Sequence, residues 1–109
     1  TSVEKYLSFK SDKINTDNWK PFLLDVRRPD EEIISKIEGT NLTIVHTEIP
    51  NRIQEIPSDR DIVIYCRSGV RSAAVQRFLI EAGHANRILN LKGGILNWSD
   101  TVDSSVRKY

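Results

Sequence analysis

The sequence has one cysteine, Cys66, two histidines, His46 and His84, and no methionine among its 109 residues. A lone thiol excludes an internal disulfide, and with two histidines it falls short of the four ligands of a structural zinc site, so no metal is expected. The absence of methionine even at position 1 is what a segment cut from a longer chain, or one that has lost residues in processing, would show, and a partner domain ahead of it is one expectation. An excess of one charge is also missing, since 16 Lys and Arg stand against 15 Asp and Glu. Neither nucleic acid nor an anionic membrane is therefore an expected partner. No apolar run approaches the ~20 residues that cross a bilayer. The first ten residues, TSVEKYLSFK, lack the apolar stretch of a secretion signal. An intracellular location, cytoplasm or plastid stroma, is the expectation.

What is present is ordinary for a folded domain. Hydrophobic residues make up 39% and charged residues 28%, a balance that excludes disorder and fibrous classes. The length suits one domain with one core, taken as residues 1–109 with a polar tail over 100–109. Short apolar runs alternate with helix-like segments, the pattern of an α/β fold with a mostly parallel central sheet flanked by helices on both faces.

Strands are expected at Phe22–Val26, Leu42–Val45, Asp61–Tyr65 and Arg87–Leu91. After the first, RRPDEEIISKI offers a helix with Pro29 near its first turn and Asp30, Glu31 and Glu32 at its positive end, closed by Gly39. After the second, Thr47 is the expected cap of a helix carrying Ile49, Ile53 and Ile56. After the third, Ser72 is the expected cap of a helix with Val75, Phe78, Leu79 and Ala82 on its buried stripe and Gly83 as its left-handed stop. A short helical piece, ILNW, is expected to bury Trp98.

Cys66 closes the third strand, at the carboxyl edge where open parallel sheets bind their ligands. The loop Arg67-Ser68-Gly69-Val70-Arg71 then leads into a helix near Ser72, and Gly69 permits the positive dihedral that a tight curl requires. Amides curled at a helix N-terminus stabilise an anion, and with Arg67 and Arg71 they favour a nucleophilic thiolate. The other reading of a lone cysteine is a small buried hydrophobe; the Ser, Gly and Arg composition of the loop favours the first. Asp25, Arg27 and Glu31 read as a charge network bracing the neighbouring strand end rather than as catalysts. No motif involves His46 or His84, and both read as surface residues.

The chain resembles a rhodanese-type sulfurtransferase domain over nearly its whole length. LLDVRRPDEE is similar to the opening segment of that family, IVIYCRSGVRSA to its active-site loop, and FLIEAGHANRILNLKGGILNW to its closing segment. The resemblance implies that Cys66 accepts a sulfane sulfur as a persulfide, held by the loop Arg67, Ser68, Gly69, Val70, Arg71 and Ser72, and passes it to an acceptor without a cofactor. It implies that Arg71 faces the pocket mouth. The segment Ser35–Thr40 departs from the family's Gly-His-Ile-Pro-Gly-Ala pattern, keeping Ile37 and Gly39.

The end of the chain, GGILNWSDTVDSSVRKY, resembles the C-terminus of rhodanese domains fused behind an adenylyltransferase of the ubiquitin-activating type. That setting implies thiosulfate or a cysteine desulfurase as donor, and as acceptor the activated C-terminus of a ubiquitin-like sulfur-carrier protein serving molybdopterin, thiamine or tRNA thiolation. Two other readings stay open: a stand-alone thiosulfate sulfurtransferase and a non-catalytic binding module. The related phosphatases and arsenate reductases place Arg six residues after the cysteine, where this chain has Ser72.

Overall fold

The computed structural model describes residues 21–37, 39–84 and 87–101, with side chains to Ser99. The first two residues of the expected polar tail, 100 and 101, instead end the last helix; the rest of the tail, 102–109, and the tail resemblance beyond 101 lie outside the described residues. Four strands, β1 (Phe22–Asp25), β2 (Leu42–Thr43), β3 (Ile62–Tyr65) and β4 (Ile88–Asn90), form one parallel sheet in the order β2-β1-β3-β4. Among the described residues four α-helices accompany them: α1 (Pro29–Ile34), α2 (Ile49–Arg52), α3 (Val70–Glu81) and α4 (Gly94–Thr101).

Successive residues of a strand face opposite sides, and here both sides are covered. Leu24, Ile62 and Ile64 pack with Ile49 of α2 and Val75 and Leu79 of α3. Leu23, Val63 and Tyr65 pack with Ile37, Leu91 and, from α4, Ile95 and Trp98. The expected α/β architecture with a parallel sheet is observed, and the strand ends that carry Asp25 and Cys66 lie side by side, Asp25 being in register with Tyr65.

Several local expectations are corrected. Helix α1 stops at Ile34, well before Gly39, because the buried Arg27 guanidinium donates to the carbonyls of Glu31 (3.4 Å) and Ser35 (2.6 Å). Ser35 is already extended. Thr47 caps nothing: it sits inside a 3-10 turn, His46–Glu48, and the expected long helix breaks into α2 and a second 3-10 turn, Ile53–Glu55. Pro50, lacking an N–H, stands in the first turn of α2, where a proline starts a helix rather than continuing one from the preceding turn. Ser72 is not a cap either. Helix α3 begins at Val70, and Gly69 takes the cap position at φ 101°. Ser72, Val75 and Leu79 are buried, whereas Phe78, about 100° round the helix from Leu79, and Ala82, past the helix end, are exposed. The fourth strand loses Arg87 and Leu91 at its ends.

Candidate active site

Cys66 immediately follows β3 and is buried, at 1% exposure. Its Sγ accepts the N–H of Gly69 at 3.1 Å, the N–H of Ser72 at 3.5 Å and the hydroxyl of Ser72 at 3.4 Å. The positive φ of Gly69 makes this possible by curling Arg67, Ser68 and Gly69 around the sulfur before α3 begins at Val70. Burial pushes the Cys66 thiol up. The hydroxyl and N–H of Ser72 and the N–H groups of Gly69 and Ser68 pull it down harder, and the net shift is downward. Hydrogen bonds to the charged form outweigh desolvation, so the thiolate is the favoured species relative to a free cysteine.

The loop is anchored from behind by α4. The N–H of Ile95 donates to the Cys66 carbonyl at 2.9 Å, and that of Leu96 to the Arg67 carbonyl at 3.2 Å. The two carbonyls thus occupy free donors of the first turn of a helix. A side chain at Gly94 would collide with both carbonyl oxygens, which explains why glycine stands there.

Asn90, at the end of β4, ties the loop from the side and was not singled out by sequence reasoning. Its Nδ2 donates to the Gly69 carbonyl at 3.2 Å, and its Oδ1 accepts the Ser72 hydroxyl at 2.6 Å. Ser72 has one hydroxyl hydrogen. Asn90 Oδ1 and Cys66 Sγ therefore compete for it, and a negative sulfur draws it away from the amide. The signal that would have found Asn90 is positional: it ends a parallel strand on the same edge as Cys66.

The expected charge network exists as two separate pairs. Asp25 and Arg27 are both fully buried and joined side by side, Nη2 to Oδ2 at 2.8 Å and Nε to Oδ1 at 3.0 Å, with the guanidinium 5.6 Å from the centre of the Tyr65 ring. Glu31 instead joins the loop: Arg71 reaches its two carboxylate oxygens at 2.7 and 3.0 Å, and Arg28 donates its N–H at 3.0 Å. The Arg71 hydrogen bond is the largest influence on Glu31, working against burial, and holds its carboxyl at about 2. Arg71 in turn is raised, first by Glu31 and further by the charge on Cys66.

Arg71 and Arg67 both line an open cleft of about 530 Å³ together with Arg28, Glu31 and His46. Arg67 is largely exposed and Val70 is 74% exposed. The two histidines depart from the surface reading. His84 is half-buried, with Nε2 2.9 Å from the Ile56 carbonyl oxygen. His46 is half-buried at the cleft, and among the described residues its Nδ1 is the one buried side-chain polar atom without a hydrogen-bond partner. Among the described residues no cluster of His, Cys, Asp and Glu could hold a metal ion, and no helix is long and apolar enough to cross a membrane.

Comparison with known proteins places this arrangement. A sulfurtransferase from Allochromatium vinosum is 46% identical over 77 residues, covering 71% of this chain and 70% of that protein. The probable adenylyltransferase/sulfurtransferase MoeZ of Mycobacterium tuberculosis is 33% identical over 90 residues, covering 80% of this chain and 22% of its own length. In structure, a rhodanese-related protein from Thermoplasma volcanium superposes with a TM-score of 0.71 at 28% identity, over 84% of this chain and 85% of that one. The relatives so named are of the sulfurtransferase class, and the profile for the rhodanese-like domain matches residues 9–101. This chain belongs to the rhodanese-like domain family.

Proposed function

We propose that Cys66 carries a sulfane sulfur as a persulfide and delivers it to the activated C-terminus of a ubiquitin-like sulfur-carrier protein. The observation that carries this reading is the crowd of donors on one sulfur: two N–H groups and a hydroxyl within 3.5 Å of Sγ. They stabilise a thiolate, which attacks the outer sulfur of thiosulfate. A new S–S bond forms on Cys66, the old one breaks, and sulfite departs with its electron pair. The loop from Arg67 to Ser72 then holds the charged outer sulfur, while Arg67 and the Glu31-braced Arg71 attract the anionic donor at the cleft.

The acceptor is argued from the company the relatives keep. MoeZ and an adenylyltransferase and sulfurtransferase, UBA4, of Kluyveromyces lactis each join these two activities in one chain by name, and this chain spans 22% and 25% of their lengths. An adenylyltransferase domain in the same chain would activate the carrier's carboxylate beside the persulfide. Thiosulfate or a cysteine desulfurase would supply the sulfur.

The test is intact-mass measurement after incubation with thiosulfate or with a desulfurase and cysteine, alongside Cys66→Ala. A reductant-reversible gain of one sulfur, absent from the variant, is expected with either donor. No gain with both donors would overturn the persulfide reading and leave a binding module. Loading without transfer to any adenylated carrier would remove the proposed acceptor and leave a stand-alone thiosulfate sulfurtransferase.

A further inference from the structure

Val70, Ala74 and Phe78 stand four positions apart on α3, so they share one face of the helix. All three are exposed, Val70 at 74% and Phe78 at 37%. This stripe begins in the loop over Cys66 and runs along a groove of about 160 Å³ lined by His46, Ile49, Pro50, Ala74, Val75 and Phe78. The groove is smaller than the roughly 300–1,000 Å³ of a small-molecule pocket; it fits one large apolar side chain. His46 lines this groove and also the cleft of Arg28, Glu31, Arg67 and Arg71. The apolar seat and the cationic cleft therefore adjoin at His46.

Three features together define the occupant. The cleft sets three arginines against one glutamate, so it complements an anionic group such as a chain-terminal carboxylate. The groove complements an apolar side chain at a distance from the reacting sulfur. The stripe from Val70 to Phe78 covers about 12 Å at ~1.5 Å per helical residue, which an extended chain spans in about four residues.

We propose that this track docks a partner polypeptide that meets Cys66 end-on, seating an apolar side chain about four residues in from its reacting end against Ile49, Pro50, Ala74 and Phe78. The proposal rests on the sulfur-transfer reading above and adds the recognition element to it.

The probes are two synthetic hexapeptides ending in cysteine with a free carboxylate, one with Phe and one with Ser four positions before the cysteine. Cys66 is first loaded from thiosulfate. The peptide thiolate then attacks the outer sulfur, forming the peptide persulfide, as the bond to Cys66 breaks and returns the electron pair to its thiolate. The product is trapped with iodoacetamide and weighed. The Phe peptide is expected to react about tenfold faster in kcat/KM, the size of effect that burying part of one apolar side chain gives. Phe78→Ser and Ala74→Asp, both at exposed positions, are expected to abolish that preference while loading from thiosulfate stays unchanged. Equal rates for the two peptides in the wild type, or a preference kept in both variants, would overturn the proposal. So would a wild-type dimer in sedimentation that Phe78→Ser dissociates, since a second copy would then be the occupant. Fluorescein-tagged peptides with serine in place of cysteine, measured by polarisation, read the same preference without sulfur chemistry. If loading fails, the sulfur-transfer reading falls while polarisation still decides the groove.

Discussion

Glu31→Gln removes one charge from a pair that links α1 to the active-site loop. The folded carboxyl titrates at about 2, against 4.5 for the ordinary group. Each pKa unit is worth about 1.4 kcal/mol, so the depression carries at most roughly 3 kcal/mol at neutral pH. Arg71 is 26% exposed, and solvent screening through it reduces this to about 1–2 kcal/mol. A depressed carboxylate pKa contributes stability that is complete above the unfolded value and is lost as pH falls through the folded one. Wild-type stability is therefore expected to decline between about pH 5 and pH 2 by that amount through this group.

The assay is urea unfolding followed by circular dichroism at several pH values for wild type and Glu31→Gln. Glutamine keeps the volume and an acceptor for the Arg28 N–H. The variant is expected to be less stable by about 1–2 kcal/mol at pH 7, with most of that deficit gone near pH 2. A deficit of the same size at both ends would refute the electrostatic account and assign the effect to packing.

Four further substitutions probe the surroundings of Cys66. Asp25→Ala leaves the fully buried Arg27 unpaired and is expected to cost about 3–5 kcal/mol in urea unfolding, most of it recovered in the double variant with Arg27→Met; no recovery would refute the unpaired-charge account. Gly94→Ala forces a Cβ against the Cys66 and Arg67 carbonyls at a backbone φ of 57°. It is expected to destabilise by roughly 3 kcal/mol or more, and a near-neutral result by thermal unfolding would contradict the tight seating of α4. Ser72→Ala removes a donor from Sγ, and Asn90→Asp holds the Ser72 hydrogen harder while adding negative charge. Both are expected to move the iodoacetamide alkylation midpoint of Cys66 to higher pH, and an unmoved midpoint in both would refute the shared-hydrogen geometry.

The elements that could be read in advance were those with a single strong signal. Continuous apolar runs marked β1 and β3 because a parallel strand buried on both faces needs nothing else. The Cys66 loop was legible because its six residues are consecutive. The start of α3 was not, since Ser72 looks like a cap by composition, whereas the positive φ of Gly69 opens the helix earlier and sends Ser72 inward to the sulfur. The Glu31 to Arg71 pair joins residues 40 apart, and no local periodicity announces such a contact. Helix α1 was overextended for a related reason: what ends it is a side chain from before its start, Arg27. His46 and Asn90 carry no motif and gain their places only when β2 and β4 come to the edge that also bears Cys66.

The same contacts separate this loop from an oxyanion-gripping one. A phosphatase loop of the related type uses an arginine six residues after the cysteine to hold phosphate oxygens. Ser72 occupies that place, and its hydroxyl is committed to Asn90 and Sγ. Arg71 lies one residue earlier with its guanidinium bound across both oxygens of Glu31. The N–H groups of Gly69 and Ser72 are directed at the sulfur itself, which suits a single charged atom and leaves the oxygens of a tetrahedral anion without an array of donors. Aryl phosphate hydrolysis by the wild-type chain is therefore expected to stay at the level of Cys66→Ser. Freeing Arg71 by Glu31→Gln is expected to leave it there, because the donor at position 72 is still a hydroxyl. Steady turnover that disappears in Cys66→Ser would show that the loop does accommodate phosphate, and the reasoning from donor placement would fail.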